Sequence, residues 1–262
     1  MVTKEFAPTL DSMVHLPNTA YTFRMKNELH TISAPNWTSM LTGVHSFRHR
    51  ALKNNFDNIK IEKYPHFFKH LKDFDSTLLI LSLPEWSALN RIVVNGNADI
   101  DPLKKLTQME VTNGFINALK GPSDSVPDVS FIYYDEVDHA GHKVGGYGPK
   151  KPGYTKALQE VDADIKKVLA MVEARKKIFN EDWLVIISTD HGGRPGKFLY
   201  GHGIGIFNPH IRRVMLLMNG DDVQPGKIKK ARTVDVAVTA LKFFDVPVQD
   251  CWRLQGNAVG LK

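Results

Sequence analysis

A chain of 262 residues, 42% hydrophobic and 24% charged, has an ordinary globular composition and the length of one large α/β domain. No apolar run approaches the roughly 20 residues of a membrane helix, and the single cysteine, Cys251, excludes an internal disulfide or a cysteine-based metal cluster. The net charge of +6 comes from scattered lysines and arginines, the densest run being Lys227-Ile228-Lys229-Lys230-Ala231-Arg232. That run reads as a solvated face, so no nucleic acid polymer is expected, and a mild positive field suits a small anionic substrate.

Met1–Phe6 lacks the hydrophobic core of a signal peptide, so no export signal is expected and the compartment stays unassigned. Next comes Thr31-Ile32-Ser33-Ala34-Pro35, continuing to Thr42-Gly43. Pro35 suits the first turn of a helix, which would put Ser33 just before that helix. There, free N–H groups and the helix dipole favour a phosphate. Taken alone, Ser33 reads better as an ordinary capping serine, and only the metal-ligand segments below favour the nucleophile.

Apolar runs at Thr77–Leu83, Val129–Tyr134, Trp183–Ser188 and Val214–Met218 read as strands. Helical spacing recurs in 101–120, in 154–178 and in 233–244. In the second, Leu158, Val161, Ile165, Val168, Leu169 and Val172 form one apolar face. Strands alternating with helices predict a mostly parallel sheet covered on both sides. The whole of 1–262 reads as one domain, with 84–127 as a candidate insertion over the active-site edge. Residues 145–152 and 192–205 are rich in glycine, proline and lysine and read as loops.

Two segments carry chemistry. Asp135-Glu136-Val137-Asp138-His139-Ala140-Gly141-His142 follows one apolar run, and Ser188-Thr189-Asp190-His191-Gly192-Gly193 follows another. Carboxylates and imidazoles at strand ends are what a catalytic zinc site needs, and open α/β sheets gather ligands outside the carboxyl ends of their strands. His202, in the second loop, is one more candidate ligand. Each piece also has a plain reading, as a polar turn, a helix cap or a loop histidine.

Together and in this order, the pieces resemble the alkaline phosphatase superfamily, and within it the type I phosphodiesterase/nucleotide pyrophosphatase group, from about Pro8 to Leu261. The resemblance implies a three-layer α/β/α sandwich with a mostly parallel central sheet. It implies that Ser33, two residues before Pro35, is the nucleophile, and that Asn54 contacts the substrate phosphate. Thr42-Gly43 and His49 match the end of the helix that follows the nucleophile. Asp138, His142 and His202 would bind one zinc, and Asp190 and His191 the other. Asp135, Glu136 and His139 would be supporting or surface groups.

One family feature has no counterpart. The first hydrophobic strand, ending in a metal-binding aspartate, is missing from Met1–Ala7, and Asp11 looks like a helix residue. Two zinc ions are therefore expected, the second weakly held, and two strand edges should be left unpaired or forced together. The implied activity is hydrolysis of a small anionic phosphoester, foremost as a phosphodiesterase. A phosphomonoesterase or a non-catalytic metal- or phosphate-binding member remain the alternatives. A sulfatase fits poorly, because Trp37 stands where that motif has arginine. Trp37, Tyr147, Tyr154 and Trp86 are candidates for stacking on a base, although most aromatics in such a chain are core.

Overall fold

The computed structural model describes residues 2–194 and 208–262. The first half contains α1 (Pro8–Met13), β1 (Thr19–Lys26), α2 (Ser33–Thr42), α3 (Ser46–His49), α4 (Phe67–Phe74), β2 (Ile80–Pro84), a π-helical turn (Leu89–Val94) and α5 (Gln108–Ala118). After it come β3 (Val129–Tyr133), α6 (Glu136–Lys143), α7 (Pro152–Phe179), β4 (Val185–Ser188), α8 (Pro209–Arg212), β5 (Arg213–Asn219), β6 (Gly226–Lys227) and α9 (Asp235–Phe243).

Local chemistry sets several boundaries. The helix expected from residue 101 begins only at Gln108. Thr107 accepts from the Glu110 N–H while the Glu110 side chain reaches back to the Thr107 N–H, a capping box that fixes the start. Helix α2 ends at Gly43, whose φ of +69° needs a residue without a Cβ penalty. The short α1, which contains Asp11, has its start held by a distant acid: the Thr9 and Leu10 N–H groups donate to the Asp162 carboxylate on α7, at 2.9 and 3.0 Å. Ser33 is the first residue inside α2 rather than the residue before it, because Ile32 occupies the extended capping position.

Strand β1 was not expected from the sequence. Its register against β5 slips between Thr22 and Met25, so its burial does not alternate cleanly and the period-2 signal is lost. The strands form two hydrogen-bonded pieces, β4-β5-β1-β6 and β2-β3. β5 runs antiparallel to β1 and β4, while β1 is parallel to β6 and β2 to β3. The carboxyl ends of β3 and β4 meet, since Tyr147 bonds both to Asp138, just after β3, and to the Arg194 carbonyl, just after β4. Among the described strands, then, β5 alone runs against the rest.

Helices cover both faces. One apolar layer joins α2, α4 and α9 to Ile80, Val129, Phe131, Leu184, Ile186, Leu216 and Met218. The other joins α5 and α7 to Leu81, Leu83, Ile132, Trp183 and Val185. Residues 84–127 belong to both, through Leu89, Val93 and Val94 on one side and Val111 and Phe115 on the other. The result is a three-layer α/β/α sandwich.

Candidate active site at the carboxyl ends of the strands

Ser33 opens α2 beside the end of β4, with its Oγ 3.4 Å from His191 Nε2. The Ala34 N–H donates to Asn54 Oδ1 at 3.0 Å, and Pro35 has no N–H. The first turn of α2 is thereby poorer in free donors than expected, and the Asn54 amide nitrogen is brought to the helix start in their place. Trp37, one turn on, packs its ring 4.7 Å from Tyr133 and 5.8 Å from Phe131, which sets α2 against β3.

Asp190 and His191 are both buried. His191 Nδ1 lies 3.1 Å from the Gly192 carbonyl oxygen. A carbonyl can only accept, so Nδ1 carries the proton and Nε2 presents its lone pair to the Ser33 hydroxyl, while Asp190 Oδ2 stands 3.3 Å from the same nitrogen as a second acceptor. Burial is the main cause of the lowered pKa of His191. Asn27 fixes this loop from beneath: its buried amide donates to the carbonyls of Asp190 and Ile211, at 3.1 and 2.9 Å.

On α6 the spacing of four residues brings Asp138 Oδ2 within 3.3 Å of His142 Nε2. The Tyr147 hydroxyl donates to Asp138 Oδ1 at 2.7 Å, and the Tyr147 N–H donates to the Arg194 carbonyl at 3.0 Å. Tyr147 therefore ties α6 to the loop after β4. Its ring fills the space beside two glycines: a Cβ on Gly141 would fall 2.2 Å from it and one on Gly193 2.1 Å. Burial and the nearby Asp138 raise the Tyr147 pKa, so the phenol remains a donor.

Acidic groups surround this end of the sheet. The Tyr133 hydroxyl donates to Asp135 at 2.6 Å, and the Asp135 N–H donates to the Glu85 carboxylate. Burial, followed by the charges of Glu136 and Asp135, pushes the Glu85 pKa up to about 7 despite that backbone bond. Glu85, Asn27 and Tyr133 were not anticipated as site residues. Tyr147 had been noted only as a possible base-stacking ring. Among the other aromatics, Trp37 and Tyr147 are buried, Trp86 packs on Phe56 at 5.3 Å and Tyr154 on Tyr147 at 5.6 Å.

His202 lies outside the described residues. Among the described residues, no three histidine, cysteine, aspartate or glutamate side chains converge on one metal position, and no helix is long and apolar enough to cross a membrane.

Comparison with known proteins bears on this arrangement. By overall structure the chain is similar to murine ectonucleotide pyrophosphatase/phosphodiesterase 5, with a TM-score of 0.69 and 12% identity over 93% of this chain and 91% of that one. It is also similar to the periplasmic domain of phosphoethanolamine transferase EptC from Campylobacter jejuni, with a TM-score of 0.64 and 13% identity over 92% and 85%. The fold is alkaline phosphatase-like. Residues 99–213 match the family model of type I phosphodiesterase/nucleotide pyrophosphatase, a match that takes in α6, β4 and both candidate ligand segments. Within this alkaline phosphatase-like frame, the family match supports a phosphoric ester hydrolase. The nucleophile region precedes the matched stretch.

Proposed function

We propose that the chain hydrolyses small phosphodiesters through Ser33, with zinc held at the strand ends. The observation that carries this reading is a set of three separations: Ser33 Oγ to His191 Nε2 at 3.4 Å, His191 Nε2 to Asp190 Oδ2 at 3.3 Å, and His142 Nε2 to Asp138 Oδ2 at 3.3 Å. Two ligand atoms about 2.0–2.1 Å from one tetrahedral zinc stand roughly 3.3 Å apart. The donor set fits as well as the spacing. His191 gives its Nδ1 proton to a backbone carbonyl, the usual support of a ligating imidazole, and leaves Nε2 for the metal. Asp190 and His191 would hold one ion beside Ser33. Asp138 and His142, with His202 as the proposed third ligand, would hold the other.

Zinc bound there would lower the pKa of the serine hydroxyl and of water to near neutrality. Ser33 Oγ attacks phosphorus in line. An Oγ–P bond forms, the ester P–O bond breaks, and the departing alkoxide takes up a proton. Water then cleaves the phosphoserine, returning the serine proton and releasing the phosphate monoester. The Asn54 amide N–H group donates to a non-bridging oxygen, where the hydrogen bond strengthens as charge develops. Tyr147 holds Asp138 in place throughout. An inactive variant of the murine protein was solved with AMP, which favours a nucleotide-type substrate for this chain as well.

The test is hydrolysis of a chromogenic phosphodiester by zinc-loaded protein beside Ser33→Ala. Serine-dependent turnover with near two zinc ions per chain is the expected result, and Ser33→Ala should still bind phosphate. Turnover retained in Ser33→Ala would remove Ser33 from the mechanism. A folded wild-type protein without turnover would favour a non-catalytic binding role.

A further inference from the structure

Helix α6 begins without a cap of its own. Asp135 stands at its capping position in a helical conformation, φ −95° and ψ −18°, and its side chain makes no capping bond. That carboxylate is engaged elsewhere, with the Tyr133 hydroxyl at 2.6 Å. The first N–H groups of a helix have no partner within it, and here they are met from a distant strand. The Glu85 carboxylate accepts from the Asp135 N–H and is also bonded by the Glu136 N–H.

Glu85 follows β2 directly and is 2% exposed, too buried to touch a substrate. Its own N–H donates to the Tyr133 carbonyl at 3.1 Å. One residue at the end of β2 therefore grips both sides of the turn from β3 into α6. The positive end of a helix suits a carboxylate, yet capping is ordinarily done by a Ser, Thr, Asp or Asn at the capping position itself. Capping by Glu85 fixes α6 to the sheet as well as closing its first turn. The bearing on the site is direct, because α6 carries both Asp138, in its first turn, and His142, in its last. A slip of one residue at the helix start would rotate both by roughly 100°.

We propose that Glu85 is a positioning residue, which caps α6 from the end of β2 and so holds Asp138 and His142 at the ends of the strands. The 3.3 Å between Asp138 Oδ2 and His142 Nε2 is set within the helix, whereas the place of that pair is set by the helix start. Two fastenings then act on Asp138. The Tyr147 hydroxyl holds its side chain, and Glu85 holds the backbone that leads to it. The inference rests on the zinc reading of this pair, while the cap is measurable without metal.

Three variants separate the roles. Glu85→Gln keeps a side-chain oxygen for the two N–H groups, Glu85→Asp keeps the charge but withdraws its oxygens by one methylene, and Glu85→Ala keeps neither. Hydrogen exchange at residues 135–143 is followed in the metal-free full chain, and zinc titration and steady-state kinetics in the loaded protein. Glu85→Ala and Glu85→Asp should speed exchange over 135–143 about tenfold while β5 keeps its protection. Both should weaken one of the two zinc ions by about 10–100-fold, leave the other unchanged, and lower kcat with little change in KM. Glu85→Gln should behave as wild type in every readout. Should Glu85→Ala not fold, Glu85→Asp carries the same test. Two zinc ions held as tightly by Glu85→Ala or Glu85→Asp as by wild type would overturn the positioning role and leave the zinc reading intact. Wild-type exchange in those variants, or a loss in Glu85→Gln equal to theirs, would overturn the cap itself. A wild type that binds no zinc, with exchange that still depends on Glu85, would overturn the zinc reading and with it the placing of ligands.

Discussion

Tyr147 and Gly193 stand so close that a Cβ on the glycine would fall 2.1 Å from the tyrosine Cγ. The same tyrosine donates to Asp138, so one side chain sets the distance between the two candidate metal-binding segments. Gly193→Ala must displace the ring, costing about 1–3 kcal/mol of stability by overpacking and lowering kcat/KM at least tenfold. Tyr147→Phe keeps the ring and loses only the hydroxyl, so zinc affinity should fall roughly 10–100-fold with little change in fold. Denaturant midpoints and zinc titration check both. An unchanged midpoint and unchanged activity in Gly193→Ala would refute the clamp.

Asn54 spends its carbonyl oxygen on the Ala34 N–H, which leaves its amide as the donor for substrate. Asn54→Asp replaces that donor with a carboxylate and should weaken phosphate binding and turnover together, by about 100-fold or more. Steady-state kinetics and phosphate inhibition read the effect. If Asn54→Asp binds phosphate as wild type does, the amide does not face the substrate.

Acid should unfold the chain through its buried histidines. His66 and His70 are buried, and burial lowers their pKa values from 6.5 to about 3 and about 4. The unfolded chain binds these protons near pH 6.5 and the folded chain only near pH 3–4. Stability is therefore fully present above about pH 6.5 and is lost as pH falls through the window down to about 3. Glu85 has the opposite sign: its raised pKa gives stability present below about 4.5 and lost as pH rises through about 7. His66 Nδ1 accepts from the Phe68 N–H, a capping role asparagine can fill. His66→Asn should therefore flatten the Tm decline between pH 6.5 and 4, by on the order of 3 kcal/mol at the acid end. A wild-type slope in His66→Asn would locate acid sensitivity elsewhere.

Arg175 is a buried arginine whose guanidinium bonds the Leu119 carbonyl at 2.6 Å, the Gly121 carbonyl at 2.8 Å and the Glu181 carboxylate. It ties α7 to the end of α5 and to the approach to β4. Arg175→Ala leaves the half-buried Glu181 carboxylate with only the Ser123 hydroxyl and the Trp183 N–H, removes the guanidinium from the Leu119 and Gly121 carbonyls, and should cost about 1–3 kcal/mol. Arg175→Lys should recover little of that loss, since an ammonium lacks the planar fork. Urea unfolding of the two variants decides it, and near-equal wild-type and Arg175→Lys midpoints would show that charge alone suffices.

Local chemistry made much of this protein legible from the sequence by itself. The apolar face of α7, the glycine that ends α2, and the runs that became β2 to β5 follow from periods and conformational preferences within a few residues. The two acidic and histidine-bearing segments stand out for the same reason, because their ligand types are neighbours in the chain. Tertiary structure decided the rest. Nothing near Gly193 in sequence announces Tyr147, nothing near α1 announces Asp162 at its start, and the bulge in β1 erased the only local sign that it is a strand. Which edges of β3 and β4 are paired is not written in those two runs, because each strand shows the same apolar run whether one edge is paired or both. Periodicity reports which face of an element is buried, whereas the partner at an edge is fixed only when distant segments meet.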